Sequence, residues 1–300
     1  MAEFDVLVVG DANPDLLLRG DVRPRFGQAE QLLTAADLVL GGSAAITAAG
    51  CARLGLRTAL LAAVGEDVFG RLVREQLDER GVTLLAADGR GEPTGVTVVL
   101  SETDDRAILT LPGTIPALRP ADISDELLAS AAHVHVASLF LQPALAAGTA
   151  GIFARAREIG CTTSLDTNWD PAEKWEVADI LAHTDVFLPN ANELLAITGA
   201  DNTDTAAGLL IRNGTTVVMK DGARGARAWW PGGECAAPGR SVDVVDTTGA
   251  GDSFNAGFLA ARLRGLPIVE AVRWAAVAGS LSTRAAGGTA AQATPDDLTP

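Results

Sequence analysis

Residues Phe4, Val6, Leu7, Val8 and Val9 make a β-branched apolar run that stops at Gly10 and Asp11, the pattern of a buried strand that delivers a loop. Similar short apolar runs recur at 56–64, 133–139, 161–165, 185–188 and 215–219. Helical patterns at 67–80, 144–158, 172–181 and 203–212 fall between them. This alternation predicts an α/β fold with a mostly parallel central sheet and helices on both faces. The order changes at 94–100 and 106–111, which flank the polar turn 101–105 and predict a hairpin. A β-rich segment at 242–245 precedes two helical patterns, 252–264 and 267–286. No long linker or repeat interrupts the chain. Residues 1–300 therefore read as a single domain with a small β lid from about 13–40 and 94–111.

Composition removes several function classes. Hydrophobic residues are 48% and charged residues 20%, enough apolar material for a substantial core, so disorder is excluded. The uncharged stretch 127–154 contains His133, His135, Gln142 and Pro143, and Pro143 divides it into a strand and a helix rather than a membrane span. The formal charge is -15, and the densest basic stretch is only Arg19, Arg23 and Arg25. Such a surface repels nucleic acid and anionic membrane, so neither is expected as a partner. Cys51, Cys161 and Cys235 lie far apart without CxxC or Cys/His spacing, which supports neither a disulfide framework nor a zinc site. Acids stand near the start where a signal peptide would carry positive charge, and a cytoplasmic location is expected. His133, His135 and His183 fall in no triad or metal pattern, and the Gly-x-x-x-x-Gly-Lys-Ser/Thr string of P-loop NTPases is missing.

The most informative string is Asp246-Thr247-Thr248-Gly249-Ala250-Gly251-Asp252, followed by a helix that carries Phe254, Phe258 and Ala261 on one face. Glycines before a helix let a ligand approach the backbone. The free amides of the first turn, backed by the helix dipole, then form an anion site. A carboxylate in that turn, Asp252, stands where it would repel the anion. That placement makes sense if Asp252 removes a proton from a hydroxyl about to attack a phosphoryl group. Taken alone, Gly-x-Gly-Asp fits a plain helix-start acid equally well.

From Asp246 to Gly257 the string resembles the C-terminal signature of the PfkB, or ribokinase-like, carbohydrate kinases at every defining position. The resemblance runs across nearly the whole chain in the right order. It implies the ribokinase-like fold, Asp252 as catalytic base, and the amides of Gly249, Ala250 and Gly251 as the anion hole. Gly41, Gly42 and Ser43, ahead of an Ala-rich helix, look like the first signature, which lies against the sugar. Ile46 departs from that pattern, because the family usually has Asn there and Ile offers a sugar hydroxyl no hydrogen bond. Asn13 and Asp15 match the family's opening motif, whose Asp accepts from substrate hydroxyls. Asp166 and Asn168 look like a strand-end Asp-x-Asn; period-2 spacing would point both into the crevice, with Asn168 a candidate substrate contact.

On the nucleotide side, Asn190 and Glu193 match an Asn-x-x-Glu motif that organises magnesium and its waters, and they also suit a helix capping box. Lys220, Gly222 and Gly225 resemble the turn lying against ATP, and Thr248 belongs to the same nucleotide side. Many members hold a monovalent cation, here K⁺, whose site would be edged by Asp246. The expected activity is ATP- and Mg²⁺-dependent phosphorylation of a hydroxyl on a sugar or sugar-like alcohol. A nucleoside kinase of the same fold and a catalytically silent metabolite-binding homologue are the alternatives. A sugar-phosphate acceptor would need Arg or Lys at the substrate site, and the N-terminal motifs supply none. A homodimer through the lid is expected, because the hairpin leaves a strand edge to cover.

Overall fold

The computed structural model describes residues 2–102 and 106–299. Its main sheet has nine strands: β1 (Val6–Val9), β4 (Thr58–Ala63), β5 (Val82–Ala87), β8 (His133–Ala137), β9 (Thr162–Asp166), β10 (Val186–Phe187), β11 (Thr216–Lys220), β12 (Ala226–Trp230) and β13 (Gly233–Ala237). They lie in the order β13-β12-β11-β10-β9-β8-β1-β4-β5, and every neighbouring pair is parallel except β11–β12 and β12–β13.

Side-chain alternation explains why this sheet is buried on both faces. In β1, Val6 and Val8 pack into one apolar cluster with the helices Ser43–Arg53, Ala250–Leu263 and Ile268–Ser282, while Leu7 and Val9 pack into a second with the helix Pro143–Ile159. Residues at the carboxyl ends of β1, β8, β9, β10 and β11 therefore leave the sheet side by side.

A second sheet contains β2 (Asn13–Gly20), β3 (Leu33–Gly41), β6 (Val96–Ser101) and β7 (Arg106–Leu111) in the order β3-β2-β6-β7. β2 leaves directly after β1 and pairs antiparallel with β3 but parallel with β6, which closes the hairpin with β7. These strands fall in the segments where a lid is expected; part of the turn expected at 101–105 lies outside the described residues.

Four local expectations differ. Helix covers only Ala178–Leu181 within 172–181, because Asp170 accepts from the amides of Ala172, Lys174 and Trp175, and Glu173 and Trp175 have positive φ. Residues 242–245 are irregular; Val245 donates instead to the Thr283 carbonyl. β5 and the β12–β13 hairpin escaped the pattern, since β5 and β13 are the two edges of the sheet and only partly buried, so neither is a continuous apolar run. Asp166 ends β9, and Asn168 adopts φ 56, so the two side chains do not share one strand face.

Candidate active site

Two clefts open over the carboxyl ends of the parallel strands, where ligands bind in open α/β sheets. The smaller, about 630 Å³, is lined by Gly222, Gly225 and residues of the two C-terminal long helices, including Phe254 and Gly279. The larger, about 780 Å³, lies under the lid and receives Asn13, Asp15, Gly42, Ser43, Asn168 and Asp252. Asn190, Lys220, Thr247, Ala250 and Gly251 line both. The wall between the clefts is thus the start of the helix Ala250–Leu263, and Asp252 faces only the larger one.

That start is built by close approach. Gly249 caps the helix at φ 69, and a Cβ there would lie 2.5 Å from the Gly288 Cα. Asp246 fixes the approaching loop: one carboxylate oxygen accepts from the Thr248 amide and hydroxyl at 2.9 and 2.8 Å, the other from the Gly287 amide at 2.8 Å. Asp246 itself lines neither cleft, and Thr248 lines the larger rather than the smaller. Buried Asp252 has its proton affinity raised well above the usual carboxylate range, by burial first and by the negative charge of Asp166 next; the Lys220 ammonium opposes this.

Lys220 is held by a partner 54 residues away. Its Nζ donates to Asp166 Oδ2 at 2.5 Å, and the same oxygen accepts from Asn255 Nδ2 at 2.6 Å, one helical turn beyond Asp252. Burial opposes Asp166's charge, but Lys220 keeps its carboxyl below the usual range. The Lys220 side chain lies against Gly251, where a Cβ would be 3.5 Å from its Cδ. The ammonium thus stands beside the start of the helix Ala250–Leu263 rather than in solvent at a turn.

In the larger cleft Asp15 is buried, and burial followed by the charge of Asp11 pushes its carboxyl up to about 7. Asn13 Nδ2 donates to Asp15 Oδ1 at 3.0 Å. Gly41 does not line the cleft; it makes room, because a Cβ there would fall 2.0 Å from Asp15 Oδ1. Asn168 is clamped within the protein: its Oδ1 accepts from the Ser138 amide and its Nδ2 donates to Ser43 Oγ, both at 2.9 Å. Ile46 is buried against Gly249 and Gly288 and puts an apolar wall into the cleft.

Asn190 and Glu193 form a reciprocal cap at the start of the helix Ala191–Thr198, with the Asn190 amide donating to Glu193 Oε2 at 2.8 Å. Burial and then the charge of Asp166 push the Glu193 carboxyl up to about 7, with Lys220 opposing them. No group of three or more His, Cys, Asp or Glu among the described residues converges to chelate a metal. The donor set fits a Mg²⁺ held through its waters and phosphate oxygens.

Three further residues reach this site. Asp11 accepts from the Ala44 amide and the Ser138 hydroxyl, both at 2.9 Å, and joins the first strand to the helix Ser43–Arg53. Its position after a buried strand was a usable signal. Arg106 of β7 lines the larger cleft, and its Nη1 donates to Thr247 Oγ1 at 3.1 Å. The lid thereby supplies the cation that the N-terminal motifs lack. Trp169 also lines the larger cleft. His133 and His135 are buried, and burial holds their pKa values down to about 3 and about 4, consistent with neutral structural rings.

No helix among the described residues is long and apolar enough to cross a membrane. The family model described as pfkB family carbohydrate kinase matches residues 4–295. The chain is 32% identical over 286 residues to an ATP-dependent ribose-1-phosphate kinase of Halopiger xanaduensis, covering 92% of this chain and 91% of that one. It is 31% identical to a fructokinase of Klebsiella pneumoniae, with coverage of 98% and 97%. Arabidopsis thaliana ribokinase, solved with ribose and ATP, superposes with a TM-score of 0.83 at 26% identity, covering 99% of this chain and 98% of that one. The expected ribokinase-like fold is the observed one.

Proposed function

Because the chain belongs to the pfkB family of carbohydrate kinases, we propose that Asp252 is the general base of an ATP-dependent phosphoryl transfer to a sugar hydroxyl. The protein is an ATP-dependent carbohydrate kinase. One observation carries the assignment: the two clefts share the helix start at Ala250 and Gly251, and Asp252 looks only into the larger. ATP occupies the smaller cleft along Gly222 and Gly225, and the sugar occupies the larger against Asn13, Asp15, Gly42 and Ser43. The γ-phosphoryl group crosses between them at the amides of Gly249, Ala250 and Gly251.

Such a transition state is mainly charge and position, so the protein acts by placement and preorganised dipoles. Burial raises the proton affinity of Asp252, the direction a base for a sugar hydroxyl requires. Lys220, pinned by Asp166, neutralises the phosphate at the crossing point. Bound Mg²⁺ would supply charge neutralisation of the phosphate oxygens, with Asn190 and Glu193 holding its waters. K⁺ near Asp246 would steady the loop before the anion hole. The lid closes over the sugar and excludes water, and lid sheets of two copies pair to form a dimer.

A second reading, a nucleoside acceptor, is favoured by the apolar wall at Ile46. The test is ADP release with ribose, fructose, ribose 1-phosphate and adenosine, in K⁺ and in Na⁺. Acceptor-dependent ADP release is expected with at least one of them, and ATP turnover indifferent to every acceptor would refute the kinase assignment.

A further inference from the structure

Trp169 is 55% exposed, yet nothing about it is loose. The residue before it, Asn168, holds a left-handed backbone at φ 56 through its hydrogen bonds to Ser138 and Ser43. The residue after it, Asp170, is buried and accepts from three amides, those of Ala172, Lys174 and Trp175, at 2.8 to 2.9 Å. Trp175 meets the Trp169 ring edge to face with centroids 5.1 Å apart, and Phe140 meets Trp175 in the same way at 5.6 Å. The backbone that carries the indole is thus held on both sides, and the ring packs against Trp175, which is itself backed by Phe140. Trp169 faces the larger cleft, whose walls also include Ile46, Ile108, Ile115 and Leu141.

A left-handed non-glycine residue is strained, and such strain persists where the surroundings over-determine it. Leaving an indole half in water forgoes burial of its apolar surface. A ring fixed in advance loses little freedom when a ligand covers it, which favours binding of a flat partner. We propose that Trp169 is a specificity-determining residue on the acceptor side, a stacking platform for a flat apolar face carried by the acceptor. The C–H face of a sugar ring and a heterocycle attached to the sugar present this same chemistry. The inference rests on the larger cleft being the acceptor side.

Calorimetric titration of the full chain with ribose and with adenosine tests it, with indole emission followed in parallel. Saturable binding of at least one probe, with a change in emission, is expected. Trp169→Ala should weaken that binding about tenfold or more, Trp169→Phe should keep it within about threefold, and neither should alter the melting temperature. Weakening for both probes assigns the ring face, and weakening for adenosine alone assigns the heterocycle. Affinity unchanged in Trp169→Ala, or no saturable binding of either probe by the wild type, overturns the proposal. Asp252→Asn should retain the titration while losing turnover, so failure of the base assignment is read separately.

Discussion

Asp15 and Gly41 are adjusted to one another, since the carboxylate occupies the space a Cβ at residue 41 would need. Asp15 is buried with its carboxyl pushed up to about 7, against 3.8 ordinarily. The folded chain therefore binds a proton that the unfolded chain has lost between these values. Its contribution to stability is full below pH ~4 and is lost as pH rises through ~7. Asp15→Asn should gain melting temperature over the wild type as pH goes from 5 to 8, the gain being larger at pH 8. A gain independent of pH would contradict the raised carboxyl. His133 and His135 contribute with the opposite sign, which is why the variant-minus-wild-type difference is the quantity to follow. Residues inside a contiguous signature, Asp252 and its glycines, were legible because their chemistry is set by neighbours in sequence. Lys220 was legible only as a residue near a turn, because the Asp166 that fixes it is 54 positions away.

The elements divide in the same way. Strands such as β1, with a buried run on both faces, declare themselves by hydrophobicity alone. The segment 172–177 carries a helical pattern, but the local hydrogen bonds of Asp170 outcompete it. The hairpin of β6 and β7 was legible in the sequence, and the edge strand β7 is exposed at every residue. Arg106, Ile108 and Thr110 of β7 face the larger cleft, so Leu109 and Leu111, at 57% and 55% exposure, fall on the opposite face of the strand. An apolar edge of this kind invites pairing with a second copy. Light scattering should give a dimer, and Leu109→Glu should give a monomer. Monomer mass for the wild type at working concentration would contradict lid pairing.

The whole molecule, at -15, binds a polyanion without a basic surface. The proposed phosphate site is local instead: the helix amides at Gly249 to Gly251, with Lys220 beside Gly251 and Arg106 of β7 bonded to Thr247. Net charge carries no information about a site made of backbone dipoles. That two clefts share one helix start was invisible in sequence, because Ala250 and Gly251 meet Lys220 and Asn190 only through the fold. The role proposed for Asp252 is on the acceptor and not on the nucleotide. Its direct measurement is purified Asp252→Asn, compared with wild type for ATP affinity by calorimetry and for turnover on whichever acceptor the wild type uses. ATP affinity within about threefold and turnover lowered ~10³-fold or more are expected. Turnover near the wild-type rate would contradict the account.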